Sequence, residues 1–425
     1  MAEARSAYND AVPNHSQVLA NSSTLSTITQ IWNSLSLPSS ALSCLDLGPI
    51  TDQQILSSSF KVSQLAHATI ALSALAASLL DSTRTFTGTV HNVTVSLDHA
   101  AVEFASEQVY TLNDQPPPPS WGVIGGLHKT ADGYIRIHDS FSNHRAAALR
   151  ILKLSSSATR EEVAAKILSW NALDLESAAQ ANKAVIFALR PFSTWSTLPQ
   201  HHLLPSSPIT IRRIPSSSSP PRSLPPGDFP SLLHGLRVLE FSRVIAAPVA
   251  GRCLAAHGAD VLWVTSPNLP SLPGLDIDMS RGKPSIQLDL DSAAGKETLR
   301  RLLREADVLI QSYRPGSLTA KGLSTEEILA ICSDGIVIAN LSAWGEAGPW
   351  KDARGFDSMV QTVSGLNIDE AQAFATANGG QQDGSPARVL PVQALDHASG
   401  VFARDRDFDG VVEEGERGRV LGGWS

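Results

Sequence analysis

The stretch Leu236-Arg-Val-Leu-Glu-Phe-Ser-Arg-Val-Ile-Ala-Ala-Pro-Val-Ala-Gly-Arg252 decides the fold class of this chain. Its first six residues form an apolar run of strand length, and Pro248 suits the first turn of a helix that Gly258 ends. Asp260-Val-Leu-Trp-Val-Thr265 follows as the next strand. A strand, a helix and a second strand in this order predict a βαβ unit of a parallel sheet.

The same alternation continues toward the C-terminus. Strands are expected at Ser285–Asp289, Asp307–Ile310 and Ile336–Asn340, with helices between them. Ser324-x-x-Glu327 has the spacing of a capping box that opens the last of these helices. We therefore predict an α/β protein with a parallel, helix-covered sheet, preceded by a mixed α/β region.

Two proline-rich stretches predict linkers, because proline fixes φ and serine keeps the backbone solvated. The charge-dense C-terminus cannot cover a sheet face and is predicted to be a disordered polar tail. The predicted divisions are a Ser-rich segment with a helix and strand region (1–112), a Pro linker (113–120), a mixed α/β region (121–214), a Ser/Pro linker (215–230), the parallel-sheet domain (231–400) and the tail (401–425).

Composition narrows the possible functions. The chain has 425 residues, with 33 Lys and Arg against 41 Asp and Glu, and a net charge of −8 argues against a nucleic-acid partner. Three widely spaced cysteines form neither a disulfide framework nor a Cys-x-x-Cys site, and His201-His202 lacks companion metal ligands. The apolar run Leu65–Leu80 is shorter than the ~20 residues of a spanning helix. We expect an intracellular, cytoplasmic protein without metal or membrane partner, with mitochondria or peroxisomes left open.

Loops after the predicted strands are the places to search for a site, because ligands of open α/β sheets bind beyond the carboxyl ends of the strands. Ser242–Pro248 offers small residues followed by a helix N-terminus, which suits a phosphate. Gln311–Ser317 contains an aromatic ring and a guanidinium, and Ser280–Lys283 lies upstream. Neither loop has the glycine pattern of a dinucleotide or nucleoside-triphosphate site.

Six segments in this order resemble family III CoA-transferases (the CaiB/BaiF family), which include formyl-CoA, carnitine and bile-acid CoA-transferases and the related 2-methylacyl-CoA racemases. The segments are Leu236–Arg252, Gly258-Ala-Asp-Val261, Arg281–Asp289, Tyr313-Arg-Pro-Gly316, Gly355-Phe-Asp357 and Val392-Gln-Ala-Leu-Asp-His-Ala-Ser-Gly400.

The resemblance implies a Rossmann-like CoA-binding domain and a homodimer. It places a catalytic aspartate at Asp396, whose carboxylate would carry CoA as an aspartyl-CoA thioester from an acyl-CoA to a carboxylic acid. CoA and acyl-CoA are then substrates, and no tightly bound cofactor is expected. By the same resemblance, the residues near the CoA nucleotide are Arg243, Val244, Ala246, Lys283, Tyr313 and Arg314, with Lys321 in place of an arginine that relatives often carry.

Two other functions stay open, and the acyl donor and acceptor are not specified. Racemases use a histidine in a Gly-His-Asp triplet, and Phe356 occupies that position here, which disfavours epimerisation. His397 is interpreted as a structural residue, and Asp396 as a helix N-cap is the structural alternative to a nucleophile. A non-catalytic CoA-binding or assembly subunit is the remaining alternative.

Segments before the parallel-sheet domain resemble the later half of the same family. They are Val93–Ala101, Gly133–Ile137 and Ser193–Gln200, and they precede the first half instead of following it. In the first of them, Val93, Val95 and Leu97 alternate with other residues, which predicts a strand. A fused, C-terminally truncated member forming an intramolecular pseudo-dimer would give this order. The alternative is an unrelated domain in which Tyr134 and Trp195 are core aromatics.

Overall fold

The structure, a computed structural model, describes residues 19–49, 55–214, 222–379 and 385–402. The predicted disordered tail lies outside the described residues apart from its first two, and so does the segment 215–221 of the predicted Ser/Pro linker.

The described residues form both helices and strands. In chain order these elements are α1 (Leu19–Ser34), β1 (Leu45–Asp46), α2 (Val62–Ser82), β2 (Val93–Thr94), α3 (Leu97–Glu103), α4 (Ser106–Val109), β3 (Gly126–Lys129), β4 (Tyr134–Ile137), α5 (Ser142–Leu152), α6 (Arg160–Ile167), α7 (Ala172–Ala181), β5 (Ile186–Ala188), α8 (Phe192–Trp195), α9 (Pro199–His202), β6 (Arg237–Phe241), α10 (Ala246–Ala256), β7 (Asp260–Thr265), α11 (Pro273–Met279), β8 (Ser285–Gln287), α12 (Ala293–Leu303), β9 (Val308–Gln311), α13 (Thr325–Ile331), β10 (Val337–Asn340), α14 (Asp357–Val363), α15 (Leu366–Ala377) and α16 (394–402).

The predicted parallel sheet is confirmed. Its strand order is β10-β9-β6-β7-β8, and all four pairings are parallel. The first strand of this sheet, β6, lies in its centre, and β7 and β8 follow on one side of it. The chain then crosses to the other side and adds β9 and β10, which is the strand order of a Rossmann-type sheet. The point where the direction reverses lies between β6 and β9. Most of the residues predicted to bind a ligand follow these two strands, namely Arg243, Val244 and Ala246 after β6, and Tyr313, Arg314 and Lys321 after β9.

Alternation along β6 explains the two covered faces of the sheet. Val238 packs with α10, α2 and α1 in one core, whereas Leu239 packs with α12 and α13 in another. Because α1 and α2 share their core with the parallel sheet, they are not an independent folding unit, and the predicted boundary at 113–120 stays a prediction. Helix α2 is long and apolar enough to cross a membrane by length and composition, but 78% of its apolar window is buried inside the protein, as in a core helix.

One sequence interpretation in the N-terminal region is wrong. The alternation from Val93 to Leu97 suggested a single strand, but β2 ends at Thr94 and Leu97 begins α3. The reason is local, because the Ser96 side chain accepts the backbone N–H of His99 and caps the helix. The capping box of Ser324 and Glu327, in contrast, forms as predicted.

The region before the parallel sheet contains a second, antiparallel sheet with the order β3-β4-β5. Helices α5, α6 and α7 cover it and share a separate apolar core with it. Phe187 of β5 packs against Trp344 and Trp350 in the loop that follows β10. This aromatic cluster holds the antiparallel sheet beside the carboxyl edge of the parallel sheet, where it forms the opposite wall of the site.

Candidate functional site

A cavity of about 590 Å³ opens at the carboxyl ends of β6 and β9. We call it the switch-point cavity; the loops after β6, β7, β9 and β10 line it, together with residues 141–144, 354–356, 396 and 399. Its position is the one that the strand order favours for a ligand. Most of the predicted site residues line it, namely Arg243, Val244, Ala246, Tyr313, Arg314, Lys321 and Asp396.

The loop after β6 brings main chain close to this cavity. Val244 has φ of 74°, a left-handed conformation that is rare for a β-branched residue. The next helix, α10, begins at Ala246, so its unpaired N–H groups lie at the cavity wall. This arrangement offers an anion both backbone donors and the positive end of a helix dipole.

Three guanidinium groups converge on the same cavity. Arg243, Arg314 and Arg354 all lower the pKa of His144, which burial has already lowered, so that it falls to about 3. Each arginine donates to a backbone carbonyl, and among the described residues none of them pairs with a carboxylate: Arg243 donates to Pro270 O at 2.5 Å, Arg314 to Asp352 O at 3.1 Å and Arg354 to Lys183 O at 2.8 Å. Asp276 interacts with Arg243 at longer range and opposes the effect of burial on the pKa of that arginine. Without a direct ion pair to a carboxylate, the three guanidinium groups suit a phosphate group.

Arg354 and His144 are residues that sequence reasoning missed. Arg354 directly precedes the Gly355-Phe-Asp357 segment, and that position was the signal that could have drawn attention to it. Lys321 lines the cavity but forms an ion pair with Asp291, so its charge is partly compensated.

Lys283 is the one predicted site residue that does not line the switch-point cavity. Its side chain is fully buried, and its ammonium Nζ lies 2.8 Å from Glu240 Oε2 and 3.0 Å from Pro248 O. A lysine enclosed behind the loop after β6 does not line the switch-point cavity. Its contacts instead join β6 to α10 and so support that loop.

Asp396 lies in the wall between two cavities. It lines the switch-point cavity, and it also lines a second cavity of about 540 Å³, bounded by the loop 120–126, β4 and residues 389–393. We call the second one the glycine-loop cavity. No hydrogen bond or ion pair from the described part of the chain reaches the Asp396 carboxylate, and α16 begins two residues before it. Asp396 therefore lies in the first turn of this helix and is not its N-cap.

A buried carboxylate holds the backbone at Asp396. Asp357 Oδ2 accepts the N–H of Leu395 at 2.8 Å and the N–H of Asp396 at 3.0 Å. Behind Asp396, His397 Nε2 lies 2.9 Å from Glu107 Oε2, and its ring stacks on Phe104 with a centroid distance of 5.2 Å. His397 lines neither cavity, and its contacts with Glu107 and Phe104 agree with its interpretation as a structural residue.

These surroundings make Asp396 an unusual acid. Burial raises the pKa of Asp396 well above its ordinary value, and the neighbouring carboxylates of Asp357 and Glu107 raise it further. Burial likewise raises the pKa of Asp357 to about 6. A desolvated carboxylate without hydrogen-bond donors is a stronger nucleophile once ionised than a solvated one.

Comparison with known proteins confirms the resemblance. Residues 233–404 match the sequence model of CoA-transferase family III. The chain is 30% identical over 218 residues to an acetyl-coenzyme A transferase of Hypoxylon pulicicidum, which covers 49% of this chain and 35% of that protein. It is 32% identical over 189 residues to a succinate–glutarate CoA-transferase of Agrobacterium fabrum, covering 40% of this chain and 44% of that protein.

Among solved structures, the chain is similar to Rv3272 of Mycobacterium tuberculosis, with 29% identity and a TM-score of 0.36, covering 42% of this chain and 48% of that one. The chain spans less than half the length of these curated relatives.

Proposed function

We propose that this chain, whose residues 233–404 match CoA-transferase family III, transfers CoA between an acyl-CoA and a carboxylic acid. The observation that carries the proposal is the placement of Asp396, whose carboxylate is unpaired among the described residues and faces two cavities at once. The switch-point cavity, with three arginines that form no ion pair among the described residues, suits the phosphates of CoA. The glycine-loop cavity, on the other side of Asp396, suits the acyl group.

The proposed reaction uses Asp396 as the carrier of CoA. Its carboxylate attacks the acyl-CoA carbonyl, forming a C–O bond while the C–S bond breaks, which gives a mixed anhydride and CoA thiolate. The thiolate attacks the aspartyl carbon, releasing the donor acid and leaving an aspartyl-CoA thioester. The acceptor carboxylate attacks that thioester, and the released thiolate then takes the acceptor acyl group from the second anhydride. Charge and atoms balance without a metal or redox partner.

Trapping the thioester tests this proposal directly. Protein incubated with an acyl-CoA and then with hydroxylamine should carry a hydroxamate on the peptide that contains Asp396, detected by mass spectrometry. The peptide with exposed Asp369 should stay unmodified, as should protein incubated without acyl-CoA. CoA transfer with an unmodified Asp396 would contradict the mechanism, and CoA binding without transfer would favour the non-catalytic subunit instead.

Epimerisation has less support from the geometry. Phe356 replaces the histidine of the racemase triplet, and the ring of His138 stacks on it with a centroid distance of 3.7 Å. Burial lowers the pKa of His138 to about 3, so this histidine is neutral and a weak base near pH 7. Deuterium incorporation at the α-carbon without an acceptor acid would favour the racemase alternative.

Removing the charge of Asp357 should shift the pH dependence of adduct formation. Asp396 must be ionised to attack, and Asp357 is the leading electrostatic cause of its raised pKa after burial. In Asp357→Asn, the acidic limb of kcat/KM should therefore move to lower pH, and Glu107→Gln should move it in the same direction by less. A pH profile of kcat/KM for CoA transfer measures this shift. An unmoved limb in Asp357→Asn, with Asp369→Asn as the control, would contradict the assignment.

Loss of Arg354 should weaken CoA binding. A hydrogen bond to a charged group contributes about 1.5–3 kcal/mol, so Arg354→Ala should raise the Kd of CoA roughly tenfold to a hundredfold. Calorimetry measures this change, and exposed Lys351 in the same loop supplies the control Lys351→Ala. Equal Kd values for the two variants would place the phosphates elsewhere.

A further inference from the structure

The glycine-loop cavity is lined by an arginine, Arg136, that has no role in the proposed reaction. Arg136 of β4 lines this cavity together with Asp396. Its Nε donates to Thr362 Oγ1 at 3.0 Å, which fixes the plane of the guanidinium and leaves both terminal nitrogens unused by the described residues. Thr362 is itself held, because its hydroxyl donates to Ser358 O at 2.7 Å.

No carboxylate compensates this charge within the described ranges. The two acidic residues that line the same cavity are Glu107, which pairs with His397, and Asp396, whose carboxylate is unpaired. The neighbouring charge is Arg160, a second cation, and together with burial it lowers the pKa of Arg136. A half-buried guanidinium with a cationic neighbour makes this part of the cavity attractive to an anion.

The loop 120–126 lines the cavity beside Arg136, and hydrogen bonds to Asp139 fix its shape. Asp139 accepts the N–H groups of Gly122 at 3.1 Å and Ile124 at 2.8 Å, which folds the loop 121–126 back on itself. A Cβ at Gly122 or at Gly125 would collide with the Asp139 carboxylate, so the loop requires glycine at both positions. Trp121, Gly125 and Gly126 of this loop line the cavity, and the two glycines add no side chain there. Arg136 and Asp396 line the same cavity, so one extended substrate can contact both of them.

We propose that Arg136 binds the distal carboxylate of a dicarboxylic substrate, whose other end reacts at Asp396. A guanidinium with a fixed plane and two free terminal nitrogens matches a carboxylate bidentately. A monocarboxylic acyl group of the same length leaves Arg136 desolvated and unpaired in the cavity, which penalises its binding. This inference rests on the proposed function and specifies its substrate class.

A matched substrate series tests the proposal. Malonyl-, succinyl- and glutaryl-CoA are compared with propionyl-, butyryl- and valeryl-CoA, with kcat/KM and the hydroxamate at Asp396 as readouts. In the wild type, the best diacid should exceed its monoacid counterpart by about tenfold or more. Arg136→Leu should remove this preference while labelling by the monoacid series persists, and Arg136→Lys should restore part of it. Arg150→Leu, at an exposed arginine of α5, is the control for the substitution itself.

The outcomes separate the two proposals. Equal kcat/KM for diacids and monoacids in the wild type, or an equal loss for both series in Arg136→Leu, would overturn the role of Arg136. Failure of every acyl-CoA to label Asp396 would overturn the proposed function instead. In that case, calorimetry with free glutarate decides on Arg136: binding to the wild type that Arg136→Leu loses supports the site, and equal binding to both proteins overturns it.

Discussion

Asp396→Asn should reduce CoA transfer by about a thousandfold or more, because a neutral amide cannot attack an acyl-CoA carbonyl. The substitution keeps the size of the side chain. Asp357 bonds to the backbone N–H groups of residues 395 and 396, and these contacts do not depend on the side chain at 396. The loss should therefore appear in kcat, with the Kd of CoA changed far less. Transfer assays and calorimetry on the same preparation measure both quantities.

The stability of this variant provides an internal check. The pKa of Asp396 is higher in the folded state than in the unfolded state. Above the unfolded-state pKa, the free energy of unfolding therefore decreases as pH rises, because the unfolded state ionises more readily. Replacing it with neutral Asn removes this penalty, so the midpoint of thermal unfolding at pH 7 should not fall. Asp369→Asn, at an exposed site, should leave both activity and midpoint unchanged. An Asp396→Asn protein that retains a tenth of the wild-type rate would exclude Asp396 as the nucleophile.

The parallel sheet could be predicted because its signals are local. Each buried strand is an apolar run, such as the one that ends at Phe241, and some helices have a recognisable start, such as the N-cap Ser324. The alternation of these strands and helices along the chain specifies a parallel sheet. The joint core of α2 and α10 could not be predicted, since it depends on packing between segments that lie far apart in sequence. The brief strand at Val93 was misread because one Ser96 cap outweighs a short alternation.

Some residues of the site could likewise be predicted from the sequence, and others could not. Asp396, Arg243 and Tyr313 stand in segments that resemble a family, so the sequence could assign them to one edge of the sheet. Arg354 directly precedes one such segment, and Arg136 lies in the segment Gly133–Ile137, but the sequence assigned neither of them a role. Only the fold shows that their guanidinium groups line cavities and lack carboxylate ion pairs among the described residues. A single basic residue in a sequence cannot be distinguished from ordinary surface charge, because its significance depends on which carboxylates lie near it.

Lys283→Met should destabilise the protein by about 3–5 kcal/mol, because it leaves the carboxylate of Glu240 buried without its partner. Both side chains are fully buried, and Nζ lies 3.0 and 2.8 Å from the two carboxylate oxygens. Burial raises the pKa of Glu240 and lowers the pKa of Lys283, and each partner opposes the shift of the other. Chemical denaturation followed by circular dichroism measures the loss, with exposed Lys166→Met as the control.

The pH dependence and a double variant distinguish the lost ion pair from a simple packing defect. Without Lys283 the folded-state pKa of Glu240 rises further, so the stability lost in Lys283→Met should be small near pH 4 and should grow as pH rises. Glu240→Met combined with Lys283→Met removes both charges and should recover most of the lost stability. Because Glu240 and Pro248 flank the loop after β6, the single variant should also weaken CoA binding, and the double variant should restore it only partly, since the hydrogen bond from Lys283 to the Pro248 carbonyl stays lost. A loss of stability independent of pH, or a double variant less stable than the single one, would show that Lys283 contributes by packing alone.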